Sequence, residues 1–214
     1  MKRFSSWLLL LGLVLSFTGC RSAYYSAWEK PGKHKRDLLR DNVQEAREDQ
    51  KAAAEQFKDA LTKLKELYRF EGGDLENTYN TLKAEYDRSV SKADTVKNRI
   101  RKVDQIAADL FAEWEQEMRS ISNPRLRDDS RLKLQQTQRR YEELRQAMQR
   151  AERGMEPVLA QLRDQVLYLK HNLNAQAIGA LKGEALDIEK EIQQLIRDMN
   201  AAIAQADAFI KGLP

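Results

Sequence analysis

This 214-residue chain has two histidines, the residue type best suited to metal binding or acid–base catalysis near neutral pH. His34 lies among lysines and an arginine, which would repel a cation. His171 follows Lys170 and has no ligand residue three or four positions away, the spacing at which helical metal sites place their ligands. We therefore expect both histidines to be structural or solvated, and we predict no metal site.

Carboxylates are plentiful, and Glu113, Glu115 and Glu117 surround Trp114. On a helix that carries a charge at about every third position, such groups usually form a solvated face. The chain lacks the Gly-x-x-x-x-Gly-Lys-Ser/Thr pattern of a nucleotide-binding loop. A nucleophile–histidine–acid triad would have to use one of the two poorly placed histidines. The sequence thus predicts a protein that is not an enzyme and needs no cofactor.

Cys20 is the only cysteine, and it directly follows Phe17, Thr18 and Gly19. This arrangement resembles the lipobox of bacterial lipoproteins, with Phe17 in place of the usual leucine. Upstream, a basic start precedes an apolar run over 7–17, about eleven residues, whereas a membrane-spanning helix needs ~20. The pattern predicts a lipoprotein signal peptide over 1–19 and attachment of lipid, palmitate included, to Cys20.

Residues 20–34 would then form a membrane tether, interrupted by the break signal of Pro31 and Gly32. Tyr24, Tyr25 and Trp28 follow the lipid site closely, and amphipathic aromatic rings favour the headgroup zone of a bilayer. The alternative is that these rings pack on the end of the helical body.

The residue that follows Cys20 predicts which membrane holds the protein, and the net charge of the mature chain indicates which partners are favoured. By resemblance to Gram-negative sorting rules, retention in the inner membrane needs Asp after the lipidated cysteine. Arg21 stands there, which favours the periplasmic face of the outer membrane. The formal charge of +4 includes Lys2 and Arg3 of the signal, so the mature chain carries 35 basic against 33 acidic residues, or +2. This near balance gives little support to nucleic-acid binding.

Composition and periodicity predict an all-α fold. Charged residues make up 33% of the chain, with only 9 Gly and 4 Pro, as in long helices and coiled coils. Apolar residues recur at alternating three- and four-residue steps, most regularly over 75–121. We expect an elongated antiparallel bundle of three or four long coiled-coil-like helices over 35–214. Its seams are Leu39, Val43, Ala46, Ala53, Phe57, Ala60, Leu64 and Leu67; Leu75, Tyr79, Leu82, Tyr86, Ala93, Val96, Ile100, Val103, Ala107, Leu110, Trp114 and Ile121; Leu134, Thr137, Tyr141, Leu144, Met148, Ala151, Met155, Val158 and Leu162; and Leu181, Ala185, Ile188, Ile192, Leu195, Met199, Ala202, Ala206 and Phe209.

Polar residues interrupt these seams at Gln50 and Ser89. Asp74 is a candidate helix cap, and Pro157 predicts a kink near 153–154.

The stretch 164–184 has few charges in its middle and fits either a turn between helices or a closely packed helix. Its neutral polar residues suggest a partner surface or, alternatively, a helix junction that uses them internally; they are His171, Asn172 and Asn174.

Two stretches carry a family resemblance. One covers 24–30 and 32–39, Tyr-Tyr-Ser-Ala-Trp-Glu-Lys followed by Gly-Lys-His-Lys-Arg-Asp-Leu-Leu, and the other covers 164–178. Together with the lipobox they resemble domain-of-unknown-function family 2959, a family of predicted Gram-negative lipoproteins. The resemblance implies an envelope location and helical content over nearly all of the mature chain. The family brings no established activity, so it assigns no functional residues.

Two functions of different classes follow. The first is a membrane-anchored coiled-coil interaction or spacer protein of the periplasm, with an envelope protein as partner. The second is a helical module that binds a lipid or an unfolded client in an apolar groove near 164–184. A deep apolar pocket would favour the second, and a tightly packed seam would favour the first.

Overall fold

The computed structural model describes residues 34–70, 72–183 and 185–213. Within these ranges the chain is all-α, without a strand, as the sequence predicts. At 1.5 Å per residue, the second and third helices are each about 70 Å long. The five helices are α1 (Lys35–Tyr68), α2 (Leu75–Arg119), α3 (Pro124–His171), α4 (Ala175–Gly183) and α5 (Ala185–Gly212).

The turns before α2 and α3 have identifiable chemistry. Gly72 and Gly73 have φ values of 154° and 124°, a region that side chains with a Cβ rarely adopt. The Asp74 carboxylate then accepts the backbone N–H of Asn77 at 3.0 Å, which confirms Asp74 as the cap of α2. At α3, the Asn123 side chain caps the first turn and Pro124 occupies the first helical position.

The long helices pack in four contacting pairs: α1 with α2, α2 with α3, α3 with α5, and α5 with α1. In the first pair, Lys35 Nζ lies 2.9 Å from the Glu113 carboxylate, while Gln56 bonds to Glu85. Residue numbers therefore increase along α1 as they decrease along α2, so these two helices run in opposite directions.

The first and last long helices are also neighbours. Arg47 Nε lies 2.7 Å from the Asp207 carboxylate, and Lys65 pairs with Glu189 further along. From the first pair to the second, the residue number increases on α1 and decreases on α5, so these two helices run in opposite directions. The short helix α4 touches α1, α3 and α5 at one end of this assembly.

The predicted seams form the core. Most of their apolar residues are buried in one cluster that runs through α1, α2, α3 and α5. Tyr79, Tyr86 and Trp114 are only partly buried, and Ile121 lies beyond the end of α2. Leu181 is buried in α4, which corrects its assignment to the last helix.

The two polar residues on the seams have different surroundings. Ser89 is fully buried, and its hydroxyl donates to the Glu85 carbonyl oxygen at 2.8 Å, within the same helix. Gln50 is 1% exposed, and neither its amide nitrogen nor its amide oxygen has a hydrogen-bond partner among the described residues. Gln50 therefore lies in the core at an energetic cost.

The segment 164–184 combines the two alternatives that the sequence left open. It contains the end of α3, a break over 172–174, and the short helix α4.

The helix α3 is continuous through Pro157, and the predicted kink beside Gly154 stays a prediction. A Cβ at Gly154 would come within 3.2 Å of Leu195 Cδ1, so this glycine permits close packing of α3 on α5.

The helices end at different levels. Lys35, the first residue of α1, pairs with Glu113, and α2 continues from there to Arg119, about 9 Å further. Gly212, the last residue of α5, lies against the Arg140 side chain, and α3 starts at Pro124, about 24 Å away along its axis. The α2–α3 hairpin thus extends beyond the first turn of α1 and the last turn of α5.

Candidate interaction surfaces

The end of the molecule where α1 begins is called here the N-terminal end. His34 precedes α1 in extended conformation, and its backbone N–H donates to the Asp37 carboxylate at 3.3 Å. This residue marks where residues 20–33 join the helical body. The predicted lipid site Cys20 and the predicted interface residues lie outside the described part of the chain; they are Tyr24, Tyr25 and Trp28.

The α2–α3 hairpin at this end is held by polar contacts as well as packing. Trp114 Nε1 donates to the Ser130 hydroxyl at 2.9 Å, and the Gln138 amide donates to Glu115 at 3.4 Å. Leu134 is buried on this part of α3. The three glutamates around Trp114 are exposed or half-buried, and Glu113 forms the ion pair with Lys35.

The opposite end, called here the far end, contains the Gly72–Gly73 turn and the junction over 172–174. The Asn172 amide donates to the Tyr168 carbonyl oxygen at 3.0 Å. The Asn174 side-chain oxygen accepts the backbone N–H of Ala177 at 2.9 Å. Both asparagines therefore satisfy backbone groups at helix ends, as the junction alternative requires. His171, the last residue of α3, is exposed.

The far end also exposes large apolar side chains. Leu167 and Tyr168 on α3 are 47% and 41% exposed, Leu173 in the junction is 44% exposed, and Leu186 at the start of α5 is 79% exposed. The low charge of this stretch is visible in the sequence, whereas the exposure of these side chains is not. Leu186 carried a usable signal, because it lies off the seam defined by Ile188 and Ile192.

A groove of about 730 Å³ lies between the end of α3 and the beginning of α5. Its lining residues are mostly charged or amide-bearing, and Ile188 is the single large apolar residue among them. Gln165 is nine-tenths buried there, and its side-chain oxygen has no hydrogen-bond donor among the described residues. The remaining lining residues are Gln161, Asp164, Asp187, Lys190, Glu191, Gln194 and Arg197.

Two pKa shifts on α3 have local structural causes. Burial raises the pKa of the Tyr141 phenol, and the hydrogen bond that this phenol donates to Asp104 raises it further. Hydrogen bonds from Arg145 and then Gln146 lower the pKa of the Glu142 carboxyl to about 2. The first shift thus follows from packing in the core, and the second from hydrogen bonding on the surface of α3.

The described ranges, 34–70, 72–183 and 185–213, contain neither a metal-binding cluster nor a membrane-spanning helix. No group of three or more histidine, cysteine, aspartate or glutamate side chains there is arranged to hold a metal ion. None of the helices there is long and apolar enough to cross a membrane.

Comparison with known proteins gives one family match. The model of the family described as "Protein of unknown function (DUF2959)" matches residues 24–213. A search of curated proteins finds no similar sequence.

Proposed function

The chain belongs to the DUF2959 family, and we propose that it is a lipid-anchored helical spacer and interaction protein of the bacterial cell envelope. Lipid on Cys20 would hold it on a membrane, and Arg21 favours the periplasmic face of the outer membrane. The helical body would bind an envelope protein at the far end. In this proposal the protein performs no catalysis and needs no cofactor.

The observation that carries this proposal is the separation of two features. The chain enters the helical body at His34, at the N-terminal end, whereas the exposed Leu173 and Leu186 lie at the far end. The distance between these ends is about 50 Å, the length of α1 at 1.5 Å per residue. An anchor at one end and exposed apolar side chains at the other are the arrangement that a spacer requires.

We further propose that α1, α2, α3 and α5 form an elongated antiparallel bundle of coiled-coil type. The opposite directions of α1 and its two neighbours support this arrangement, and so does the core that runs through all four helices. Close packing of side chains resists bending and compression, so such a body would hold the two ends at a fixed separation.

Binding of a lipid or an unfolded client is the competing function. It needs an apolar cavity, and the groove between α3 and α5 is lined mostly by charged and amide side chains. The largest core side chains, including Phe57 and Leu144, are fully enclosed by their neighbours. These features favour the spacer over the client-binding module.

The anchor is tested by the change Cys20→Ser. We expect cells that express the unchanged chain to incorporate labelled palmitate into it. The variant should incorporate none and should be released or incorrectly processed. Persistent palmitate labelling of the variant would refute lipidation at this residue.

The partner-binding end is tested by photo-crosslinking in intact cells. A photoreactive residue in place of Leu173 should yield a crosslinked envelope protein. The matched position is Arg150, an exposed residue in the middle of α3, which should yield none or much less. Equal yields of the same species from both positions would refute binding at the far end.

A further inference from the structure

We propose that the tip of the α2–α3 hairpin, residues 118–127, binds the anionic phospholipid headgroups of the same membrane that holds the lipid anchor. This inference rests on the proposed anchor at Cys20. It assigns a second membrane contact to the helical body itself, in addition to the N-terminal tether.

The position of the hairpin tip is the first argument. The tip lies at the N-terminal end, where the chain outside the described residues joins α1. Lys35 pairs with Glu113, and α2 continues beyond that level, so the tip projects further than the first turn of α1. The fourteen residues from Cys20 to His34 could span at most about 50 Å when extended, so the anchor permits a range of heights that includes direct contact.

The charge of the hairpin tip is the second argument. Arg119, Arg125 and Arg127 flank the turn, and no carboxylate occurs over 118–127. None of these three arginines forms an ion pair within the part of the chain that the structure describes. Guanidinium groups without carboxylate partners are suited to bind lipid phosphates through paired N–H groups.

The neighbouring carboxylates compensate this positive charge only in part. Asp128 pairs with Arg131 at 2.7 Å, and Asp129 pairs with Lys133 at 2.8 Å, both one turn apart on α3. Glu117 is the nearest carboxylate on α2 without an ion pair among the described residues. Glu115 bonds to the neutral Gln138 amide and likewise forms no ion pair among the described residues. The charges without ion pairs at this end of the hairpin are therefore three arginines against two glutamates.

The apolar side chains of the hairpin tip are the third argument. Leu126 is 60% exposed between two arginines, and Ile121 is half-buried on the other side of the turn. A small apolar group flanked by basic residues matches the acyl–headgroup boundary, where the apolar group enters the bilayer and the cations remain with the phosphates.

Depth-dependent fluorescence quenching tests this contact. The lipidated protein is purified from the envelope and reconstituted into vesicles of phosphatidylethanolamine and phosphatidylglycerol. A fluorophore is attached at Leu126→Cys, the only free thiol once lipid occupies Cys20. We expect brominated acyl chains to quench it, and to leave unquenched a probe at Leu186→Cys at the far end.

Charge variants separate lipid binding from mere proximity. The triple change Arg119→Gln, Arg125→Gln and Arg127→Gln should reduce quenching at Leu126→Cys, since each basic residue near an anionic leaflet contributes about a fivefold preference for contact. Vesicles of phosphatidylcholine, or high salt, should have the same effect. The control change Arg150→Gln, on the same helix but far from the tip, should leave quenching unchanged.

The outcomes distinguish this proposal from the anchor. If the protein does not float with vesicles and Cys20 reacts with the fluorophore, the anchor is absent, and the tip contact that depends on it is refuted as well. If the protein floats but the Leu126→Cys probe is quenched no more than the Leu186→Cys probe, the anchor stands and the tip contact is refuted. Quenching that is insensitive to the three arginines would also overturn headgroup recognition.

Discussion

The Gln56 amide donates a hydrogen bond of 2.7 Å to the Glu85 carboxylate inside the interface between α1 and α2. Both side chains are at least nine-tenths buried. Arg88, one turn along α2, pairs with the same carboxylate from the more exposed side. The buried acid is thus satisfied by one residue from each helix, which ties the register of α1 to that of α2.

Removing the amide should therefore cost more than one hydrogen bond. Gln56→Leu would leave Glu85 buried with fewer donors, and we expect a loss of about 1–3 kcal/mol in the free energy of unfolding. The double change Gln56→Leu with Glu85→Leu should recover much of that loss, because it leaves no buried carboxylate. Urea denaturation measures both. A double variant no more stable than the single would contradict this account.

Replacing Gln50 should raise the free energy of unfolding, in contrast to replacing Gln56. Its buried amide has no hydrogen-bond partner among the described residues, so Gln50→Leu removes a desolvated polar group at similar volume. We expect this change to raise the free energy of unfolding by about 1–3 kcal/mol. Gln50→Ala is the control, because it removes the amide but leaves a cavity, and it should be less stable than Gln50→Leu. A destabilised Gln50→Leu would indicate that the amide makes a required contact.

The stability of the fold should decline in alkaline solution because of Tyr141. Burial raises the pKa of its phenol, so the folded chain retains a proton that the unfolded chain loses. The resulting stabilisation is fully present below the unfolded pKa of about 10 and is lost as the pH rises above it. Tyr141→Phe should show a smaller decline above about pH 10 in urea denaturation. Parallel profiles for the two proteins would contradict this prediction.

The same variant provides a measurement near neutral pH. Tyr141→Phe removes the hydrogen bond to Asp104 while retaining the ring contacts with Phe111 and Phe209, whose centroids lie 5.6 and 5.8 Å away. We expect a cost of about 1 kcal/mol.

Asn174 should stabilise the far end because its side chain caps the first turn of α4. Asn174→Ala removes the acceptor for the Ala177 backbone N–H, and we expect a loss of about 1 kcal/mol together with faster amide exchange in α4. Asn174→Asp is the matched control, because a carboxylate caps equally well. Normal stability and normal exchange in Asn174→Ala would show that the cap is dispensable, and loss of crosslinks without destabilisation would assign the residue to a partner instead.

The helical body was predictable because its signal is periodic. Residues such as Leu39, Ile100 and Met148 lie on seams whose spacing determines which face is buried. Asp74 was predictable as a cap because a cap depends on local sequence alone. The sequence leaves the break over 172–174 open, because asparagine is compatible with a helix end or with a partner surface.

The features that depend on relations between helices could not be predicted. The level at which Lys35 meets Glu113 sets how far the hairpin extends, and no single helix encodes that level. Nothing in the sequence separates Glu85 from the exposed glutamates, because its burial depends on its position opposite Gln56. The exposure of Leu126 likewise depends on where α1 and α5 end. Local patterns determine helices, whereas the candidate surfaces follow from how helices of unequal length are aligned.

The pairing of α1 with α5 has a consequence for the order in which the chain matures. Lys65 and its partner Glu189 are 124 residues apart, so a chain made from its N-terminus exposes part of the apolar face of α1 until the last helix is available. Earlier helices can form hairpins, but they cannot cover that face. We therefore expect the unfinished chain to keep this apolar surface exposed for most of its synthesis, which favours aggregation unless another protein covers it. A truncation before α5 should be far more prone to proteolysis than its length alone suggests.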